Sequence, residues 1–179
     1  MYAMCHYSSP LGRLTLFAEG DSLTGLHFDN QRVDKRFLVG HDEHFLPIFE
    51  ETCSWLDRYF SGVNPGPVPS VRFSGSLFQT KVWKILQQIP YGCIMTYGQI
   101  ADLIATERSI SRMSAQAVGG AVGHNPVGII VPCHRVIGAH GALIGYAGGL
   151  DRKEALLKIE GIDLKRFDVL VYKNASIKV

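Results

Sequence analysis

The segment NPVGIIVPCHRVIG, residues 125–138, indicates where the reactive group of this chain lies and how the chain folds around it. The apolar or small residues 127–131 stand between two prolines, a pattern typical of a short buried strand bounded by turns. Pro132 fixes its own φ and favours an extended Val131. We therefore expect a short, stiff strand that presents Cys133 at a fixed position, as a reacting group requires.

Cys133 is the candidate nucleophile. A free cysteine has a pKa near ~8.5, so a base, a cation or a helix N-terminus must act on it before it is a thiolate at neutral pH. His134 and Arg135 follow directly, and a turn after Pro132 would let His134 face the sulfur. The alternative is a cysteine buried as a small apolar residue. The two basic neighbours favour a reactive thiol, because a purely structural strand gains nothing from them.

A carboxylate at the end of the last predicted helix offers a third group. Residues 150–159 predict an amphipathic helix, and Glu160 follows at its C-terminus, where the helix dipole disfavours negative charge. A carboxylate placed there against local preference suggests a partner such as His134. Cys133, His134 and Glu160 would then form a relay in which the acid orients the imidazole and the imidazole takes the thiol proton.

The cysteines are widely spaced and include no Cys-x-x-Cys pair, which argues against a disulfide framework and a zinc ribbon. They are Cys5, Cys53, Cys93 and Cys133. We expect them to be reduced, in the cytoplasm. Cys5, His6 and His27 could converge on zinc in a sheet, but three candidate ligands without a short spacing are a weak metal signal, and we predict no metal.

The charge is unevenly distributed along the chain. Residues 1–72 carry six Lys/Arg and nine Asp/Glu, a net charge of −3, whereas residues 73–179 carry twelve and seven, a net charge of +5. A basic half suggests contact with a polyanion, although solvated surface charge is an equal alternative. No run of eighteen apolar residues and no signal peptide is present, so we expect neither a membrane span nor export.

The first part of the chain predicts a small α/β domain. Turn signals separate three antiparallel strands near residues 2–7, 13–18 and 23–28. Aromatic and apolar residues then recur at helical spacing from Phe45 to Phe60 and predict a helix that packs on the sheet. Residues 63–70 contain three prolines and a glycine, a semi-rigid linker. We expect an N-terminal α/β domain and linker at residues 1–72 and a second domain at 73–179.

The second domain predicts mostly helices. Apolar spacing indicates a helix around residues 78–89, and Thr96 and Gln99 fit a capping box at the start of the next one. Two short helices, 97–104 and 112–124, flank a polar turn and have the outline of a helix-turn-helix. This pattern alone is weak, because many helical hairpins never contact DNA. Residues 165–172 predict a final strand.

Two details strengthen the DNA interpretation. Gly119 and Gly120 lie inside the second short helix, where each glycine costs about 1 kcal/mol relative to alanine. Glycines are tolerated there when the backbone must be approached closely, either by the first helix or by a nucleic acid strand. Arg108 and Arg112 flank the turn, where they could contact phosphates, with solvated arginines as the alternative.

Five ordered motifs together resemble the O6-alkylguanine-DNA alkyltransferases. They are Tyr97-Gly98-Gln99-Ile100-Ala101, Ala117-Val118-Gly119-Gly120-Ala121, Asn125-Pro126, Pro132-Cys133-His134-Arg135-Val136 and Tyr146-Ala147-Gly148-Gly149-Leu150. The match is dense over residues 75–161 and looser before them. The resemblance implies a ribonuclease H-like N-terminal domain and a C-terminal domain with a helix-turn-helix and a cysteine-bearing strand. It also implies repair of O6-alkylguanine, and of O4-alkylthymine, in duplex DNA by irreversible transfer of the alkyl group to cysteine.

The resemblance also implies roles for single residues, and no cofactor. Cys133 would accept the alkyl group, His134 would act as base through a water, and Glu160 would orient it. A substrate pocket would include Tyr97, Asn125, Val136, Tyr146 and Ala147, with Asn125 as the hinge between recognition helix and cysteine strand. DNA contacts would come from Arg112, Gln116, Ala117, Gly119, Gly123 and Arg135. Each molecule, expected to be a monomer, would act once on a base flipped out of the duplex.

The chain departs from the family pattern at Gln116, where an arginine usually enters the base stack. Glutamine is shorter and uncharged, so we expect it to fill the stack less well and to attract phosphates less. It could still hydrogen-bond the orphaned cytosine. We therefore expect weaker DNA binding than an arginine at this position would give.

Three other functions compete with this one. A lesion sensor that binds alkylguanine without transfer would lack an acceptor thiol, which Cys133 supplies. A cysteine hydrolase built on Cys133, His134 and Glu160 would turn over repeatedly and would not need DNA. A helix-turn-helix regulator would have no use for a reactive thiol.

Overall fold

The computed structural model describes residues 2–31, 35–37, 41–42 and 46–163. By its contacts the chain divides into two compact units. The first contains Met1–Ser74 and Pro126–Ile130, and the second contains Gly75–Asn125 and Val131–Val179. The predicted strand at 165–172 lies outside the described residues. Among the described residues, every helix is too short or too polar to span a bilayer.

A four-stranded sheet organises the first unit. Its strands are β1 (Tyr2–Ser9), β2 (Gly12–Glu19), β3 (Ser22–Phe28) and β4 (His41–Asp42), in the order β3-β2-β1-β4. The antiparallel pairs β1-β2 and β2-β3 confirm the three predicted strands. The short β4 pairs in parallel with β1 and was not predicted, because two residues carry no alternation to detect.

Helix α1 (Pro47–Phe60) follows the sheet. Pro47 occupies the start of the helix, where its fixed φ and missing N–H are tolerated. The apolar spacing places one face in the core, with these residues buried: Ile48, Phe49, Thr52, Trp55, Leu56 and Tyr59. The rings of Trp55 and Tyr59 stack at 5.4 Å. The predicted aromatic stripe is therefore core packing.

The outer edge of β3 is covered by two distant segments of the chain. Leu23 exchanges backbone hydrogen bonds of 2.8 Å with residues 70–72. The Leu26 carbonyl accepts a hydrogen bond from the Gly128 N–H at 3.0 Å, and the Leu26 N–H donates one to the Pro126 carbonyl at 2.9 Å. The segment 126–130 thereby belongs to the first unit, although the residues on both sides of it belong to the second.

The predicted cysteine-bearing strand at 127–131 is wrong in detail. Only Val127 forms a bridge to β3, and the residues after it turn instead of extending. Ile129 has φ +65°, which breaks any extended run and is rare for a β-branched residue. Apolar composition predicted burial correctly, since Ile129 is 1% exposed, but it could not reveal the positive φ.

The described part of the second unit contains four α-helices: α2 (Leu77–Leu86), α3 (Tyr97–Glu107), α4 (Ala115–Gly123) and α5 (Leu150–Ile159). Capping boxes start α2 and α3, the latter between Thr96 and Gln99 as predicted. The Ser114 hydroxyl accepts the Ala117 N–H and starts α4, three residues later than predicted.

Two short parallel strands connect the helices to the cysteine region. Strand β5 (Met95–Thr96) pairs with β6 (Val136–Ile137), so the start of α3 lies beside the chain that leaves Cys133. Ile137 of β6 packs together with Ile94, Leu157 and Ile162. The Trp83 indole N–H donates to the Ala121 carbonyl at 2.8 Å and ties α2 to α4.

Candidate active site

Cys133 opens a 3-10 turn that covers residues 133–135. Its N–H donates to the Val131 carbonyl at 2.8 Å, a tight turn centred on Pro132. The Asn125 side-chain amide donates to the same carbonyl at 2.8 Å and joins the end of α4 to the turn. The cysteine is 8% exposed. The rigid placement inferred from Pro132 is therefore present, but a turn provides it and not a strand.

Burial raises the pKa of the Cys133 thiol. The Asn125 amide and the Lys153 ammonium lower it in part, and so do the backbone N–H groups of the turn. Without substrate, Cys133 is consequently a thiol at neutral pH. Activation requires that its proton be removed when substrate is bound.

The groups expected to serve the thiol form a buried network around Glu160, which caps α5. His134 Nε2 lies 2.6 Å from Glu160 Oε1, and both side chains are fully buried. Arg135 grips the same carboxylate with Nε at 2.8 Å and Nη2 at 3.1 Å. The Gly92 N–H adds a bond of 3.1 Å, and Arg135 Nη1 donates to the Ile89 carbonyl at 2.6 Å. The unfavourable helix-end position of Glu160 is thus offset by several donors.

The network fixes the protonation states of its members. Burial alone would raise the pKa of Glu160, but the charges and hydrogen bonds of His134 and Arg135 outweigh it and hold the pKa at about 2. Burial lowers the pKa of His134, although the neighbouring Glu160 opposes this. A neutral imidazole that donates Nε2–H to Glu160 carries its basic lone pair on Nδ1. The arrangement can accept one proton at His134 without creating an unpaired buried charge.

Arg135 requires a correction. It was expected among the DNA contacts, but its side chain is 8% exposed and is occupied by Glu160 and Ile89. Its guanidinium also lies 5.8 Å from the centre of the Tyr91 ring. A side chain held on these sides cannot reach a phosphate, so Arg135 is a positioning residue for Glu160.

Lys153 was not predicted and is fully buried. Its ammonium donates to the carbonyls of Val136 and Ile144, both at 2.6 Å, and of Gly145 at 3.0 Å. Burial lowers the pKa of Lys153 to about 8, with the nearby Cys133 opposing. The signal in the sequence was its position on the apolar face of α5, three residues before Leu156. The lysine joins β6 to the loop that leads to Tyr146.

A cavity of about 770 Å³ opens between α3, α4 and the loop after β6. Its lining includes Tyr97, Gln116, Gly119, Ile144 and Gly145. The Tyr97 hydroxyl lies 3.3 Å from the Gly145 carbonyl and 3.4 Å from that of Ile144. Burial raises the pKa of Tyr97 to about 12, so the hydroxyl stays a donor.

The other four residues expected in the substrate pocket differ in their burial and in their contacts. Tyr146 lies close enough for the charge of a Cys133 thiolate to act on it, and burial raises its pKa. Val136 is buried, and its carbonyl is taken by Lys153. Asn125 holds the turn, and Ala147 is exposed. None of these four residues lines the cavity itself.

Apart from Arg135, the residues expected at DNA lie on or before α4. Gln116, Ala117, Arg112 and Gly123 are exposed, and Gly119 is partly buried beneath the Tyr97 ring. Gln116 lines the cavity, so the residue that departs from the family pattern faces the place where a base would enter. Arg112 precedes the helix instead of lying within it.

The tentative zinc ligands do not converge. Cys5 and His6 point to opposite faces of β1, and His6 Nδ1 lies 3.1 Å from the Thr15 hydroxyl. Among the described residues, no group of three or more His, Cys, Asp or Glu side chains could hold a metal ion.

Comparison with known proteins agrees with this geometry. Family models for 6-O-methylguanine DNA methyltransferase match residues 4–64 with the ribonuclease-like domain and 77–162 with the DNA binding domain. A Mycobacterium bovis methylated-DNA--protein-cysteine methyltransferase is 42% identical over 175 residues, which cover 92% of this chain and 100% of the relative. The M. tuberculosis O6-methylguanine methyltransferase structure has a TM-score of 0.73 at 40% identity, over 94% of this chain and 100% of that one.

A second solved structure contains nucleic acid. It is M. tuberculosis OGT in complex with DNA, with a TM-score of 0.72 and 41% identity over 89% of this chain and 91% of that one. Both units of the chain are matched, and the matches include the cysteine turn, Glu160 and the helix pair α3-α4. The chain belongs to the 6-O-methylguanine DNA methyltransferase family.

Proposed function

We propose that the protein repairs O6-alkylguanine in duplex DNA by moving the alkyl group onto Cys133, once per molecule. The observation that carries the proposal is a rigidly held thiol followed directly by a buried histidine on an ionised carboxylate. Membership of the family supports DNA as the partner and alkyl transfer to cysteine as the chemistry.

The transfer is a displacement at carbon. The Cys133 sulfur attacks the alkyl carbon, a C–S bond forms, and the bond from that carbon to guanine O6 breaks. The thiol proton passes to His134 Nδ1 through a water, and Glu160 stabilises the imidazolium that results. The Tyr97 hydroxyl gives its proton to the departing guanine, which leaves neutral, and the proton held by His134 then restores the hydroxyl through water. Since a thioether is a stable product, the protein is consumed.

Reaching the base requires that the nucleotide leave the duplex. Unstacking costs a few kcal/mol, which contacts with the DNA must offset. Helix α4 supplies these contacts through Gln116, Ala117 and Gly123, and Arg112 adds one from the segment before the helix. Gly119 allows close approach over Tyr97. The flipped base enters the cavity beside Tyr97 and Gly145, the residue before Tyr146. Because Gln116 stands where the family has an arginine, the duplex is bound less tightly, and less of the cost of flipping the base is offset.

Four further assignments belong to the proposal. O4-alkylthymine is a second substrate, because the same displacement frees a comparable leaving group. The protein acts as a monomer, since every residue of the proposed mechanism comes from one chain. A cytoplasmic location suits a mechanism that needs a reduced thiol. The N-terminal domain with its linker spans residues 1–72 and the alkyl-acceptor domain 73–179, close to the division at Ser74 and Gly75 that the contacts give. Residues 126–130 belong by their contacts to the first unit.

Mass spectrometry of the protein tests the proposal. The chain is incubated with duplex DNA that carries one O6-methylguanine, beside the variants Cys133→Ser and Cys93→Ser. In the chain without substitutions and in Cys93→Ser, we expect one added methyl group per molecule, on the peptide that contains Cys133. In Cys133→Ser we expect none. Lesion binding without an adduct would instead identify a sensor, and release of alkyl product over repeated cycles would identify a hydrolase.

A further inference from the structure

One large aliphatic side chain, that of Ile144, lines the cavity. The other described residues of the lining are Tyr97, Gln116, glycines and alanines. Ile144 is 49% exposed, so much of its apolar surface is open to a molecule that enters the cavity. A single exposed isoleucine is ordinary on a protein surface. This one differs because both its backbone and its side chain are held in place.

The backbone of Ile144 is held by side chains from two helices. Its carbonyl accepts a hydrogen bond of 2.6 Å from the ammonium of Lys153 on α5. The hydroxyl of Tyr97, the first residue of α3, lies 3.4 Å from the same oxygen. A Cβ at Gly145 would lie only 3.1 Å from that hydroxyl, so the glycine lets Tyr97 approach the loop. These contacts fix the direction in which the Ile144 side chain leaves the loop.

The side chain of Ile144 lies over Gly138. A Cβ at Gly138 would meet the Ile144 Cδ1 at 2.9 Å and the Ala142 Cβ at 3.0 Å. Gly138 has φ −71°, which any residue adopts, so the backbone conformation does not require a glycine there. The glycine instead leaves the space that the Ile144 δ-methyl group occupies. Because Gly138 and Ile144 both line the cavity, the apolar side chain is a fixed part of its wall.

This wall suits the face of a planar base. Tyr97 and Gln116 offer hydrogen-bonding groups to the edge of a base, whereas Ile144 offers only apolar surface. A base that leaves the duplex loses the stacking contacts of both its faces. An apolar side chain that covers one face restores part of that contact, because it removes apolar area from water. Such a contact is made with the purine ring and does not depend on the alkyl group.

We propose that Ile144 binds the face of the flipped guanine, and that this contact compensates for Gln116. The inference rests on the proposed repair function. A flipped base is favoured in two ways: a side chain fills the gap that the base leaves in the duplex, and the cavity holds the base outside. Gln116 fills the gap less well than the arginine of the family would, so the cavity must contribute more. Ile144 is then a substrate-binding residue that sets how much of the bound lesion is flipped.

The free base O6-methylguanine isolates the contact in the cavity, because a free base needs no flipping. Mass spectrometry of the intact protein follows methyl transfer to Cys133 at a series of base concentrations. Ile144→Ala should lower the second-order rate constant roughly tenfold, from the apolar area lost, and Ile144→Val should keep most of the rate. Ile110→Ala is the matched control, since Ile110 is 43% exposed and is not among the residues that line the cavity. Both alanine variants should unfold near the Tm of the unsubstituted chain.

A double-mutant cycle in duplex DNA tests the link to Gln116. The unsubstituted chain, Ile144→Ala, Gln116→Arg and the double variant are each mixed in excess with a duplex that carries O6-methylguanine beside 2-aminopurine. The fluorescence of 2-aminopurine rises when stacking is lost and reports flipping, while adduct formation reports transfer. Ile144→Ala should slow transfer roughly tenfold in the natural background and less than about threefold in the Gln116→Arg background. The loss is smaller there because the arginine already keeps most of the bound lesion flipped.

Three results would overturn the inference while leaving the repair function in place. An unchanged rate with the free base in Ile144→Ala would show that Ile144 does not contact the purine. An equal loss in Ile110→Ala would show a general effect of truncating a surface side chain. Equal losses in the two duplex backgrounds would show that Ile144 does not compensate for Gln116. If the unsubstituted chain formed no adduct with either substrate, the proposed function itself would be wrong, whatever the variants did.

Discussion

Two regions of the second unit differ sharply although the proposed reaction joins them. Around Glu160, charged side chains are buried and bonded on several sides by His134, Arg135 and Gly92. Around the cavity, α4 offers glycines, alanines and the exposed Gln116. The buried region is complete before any substrate arrives, whereas the open region has its polar groups directed to solvent.

The difference separates the groups for the chemical step, around Glu160, from those for DNA recognition, on α4. Charges that must be present at the moment of transfer are placed in advance, where a low dielectric strengthens them. Recognition of DNA is left to small side chains that let a nucleic acid backbone approach closely. Substitutions in the first region should therefore affect chemistry and stability together, and substitutions in the second should affect DNA binding with little loss of stability.

The largest effect is expected for Glu160→Gln. Removing the charge leaves Arg135 buried without its counter-ion, which should lower the free energy of unfolding by about 3–5 kcal/mol. Transfer to Cys133 should become too slow to follow in the same assay. Glu154→Gln is the matched control on the same helix, because Glu154 is half exposed and its ion pair is with the exposed Lys158. Urea denaturation measures the free energy of unfolding, and the rate of methyl-adduct formation measures the transfer. Equal effects in the two variants would refute a special role for Glu160.

The pH dependence of stability is the next largest effect. The pKa of Glu160 is about 2 in the folded chain against 4.5 when unperturbed, so its contribution is present above pH 4.5 and lost as pH falls towards 2. The contribution is about 3 kcal/mol at most, from the size of the shift. Denaturant titrations at several pH values should show this loss, and Glu160→Gln should lose correspondingly less over the same range.

Arg135→Lys should have an intermediate effect. Lysine keeps the charge but cannot grip the carboxylate with two donors, so we expect about 1–3 kcal/mol of lost stability and slower transfer. Arg13→Lys is the control, since Arg13 Nε also lies 2.8 Å from a carboxylate, that of Asp29, but on an exposed surface. That change should cost no more than about 1 kcal/mol. If DNA affinity fell and transfer by bound protein did not, Arg135 would be a DNA contact after all.

On the open side, Gln116→Arg should strengthen binding to lesion-containing duplex several-fold. One added phosphate contact should also steepen the dependence of log affinity on log salt by about 1. Stability should change little, because Gln116 is exposed. Gln88→Arg adds the same charge at the end of α2 and serves as control. Fluorescence anisotropy over a series of salt concentrations measures the affinity. If the slope of log affinity against log salt did not change, Gln116 would not be at the DNA interface.

The smallest effect is expected for Gly119→Ala. A Cβ there would meet the Tyr97 ring at 3.8 Å, an ordinary contact, so the substitution should stabilise α4 by about 0.5–1 kcal/mol. DNA binding should nevertheless weaken, because the methyl group occupies space that the duplex needs. Thermal unfolding and anisotropy on the same samples test this. A variant that gains stability and keeps full affinity would show that the glycine serves only helix packing.

Regular periodicity made much of the fold predictable. Helix α5 begins and ends at the predicted residues, and the Thr96–Gln99 cap starts α3 where the sequence indicated. Local rules could not reveal Ile129 in a left-handed conformation, since its partners are on β3 and lie far away in sequence. A run of apolar residues specifies burial but leaves strand and turn undecided.

The site was predictable where chemistry marked it. Glu160 stood out because a carboxylate at a helix C-terminus calls for a partner, and His134 lies within hydrogen-bond distance of it. The resemblance to the alkyltransferases implied a DNA contact for Arg135 but carried no information on the burial of its side chain. Its burial depends on the shape of the pocket around Ile89 and Gly92, which only the tertiary structure defines. Lys153 had a signal in its position on the apolar face of α5, but the three carbonyls that bind its ammonium are defined only by the tertiary structure.

The closure of the β3 edge by residues 126–128 has a consequence for synthesis on the ribosome. Leu26 and its partners are separated by more than half the length of the chain. The sheet leaves the ribosome first. Part of the outer edge of β3 therefore has unpaired N–H and C=O groups until residues 126–128 have been synthesised. Such edges invite pairing with other chains, so truncations that end before residue 126 should aggregate more readily than the full chain.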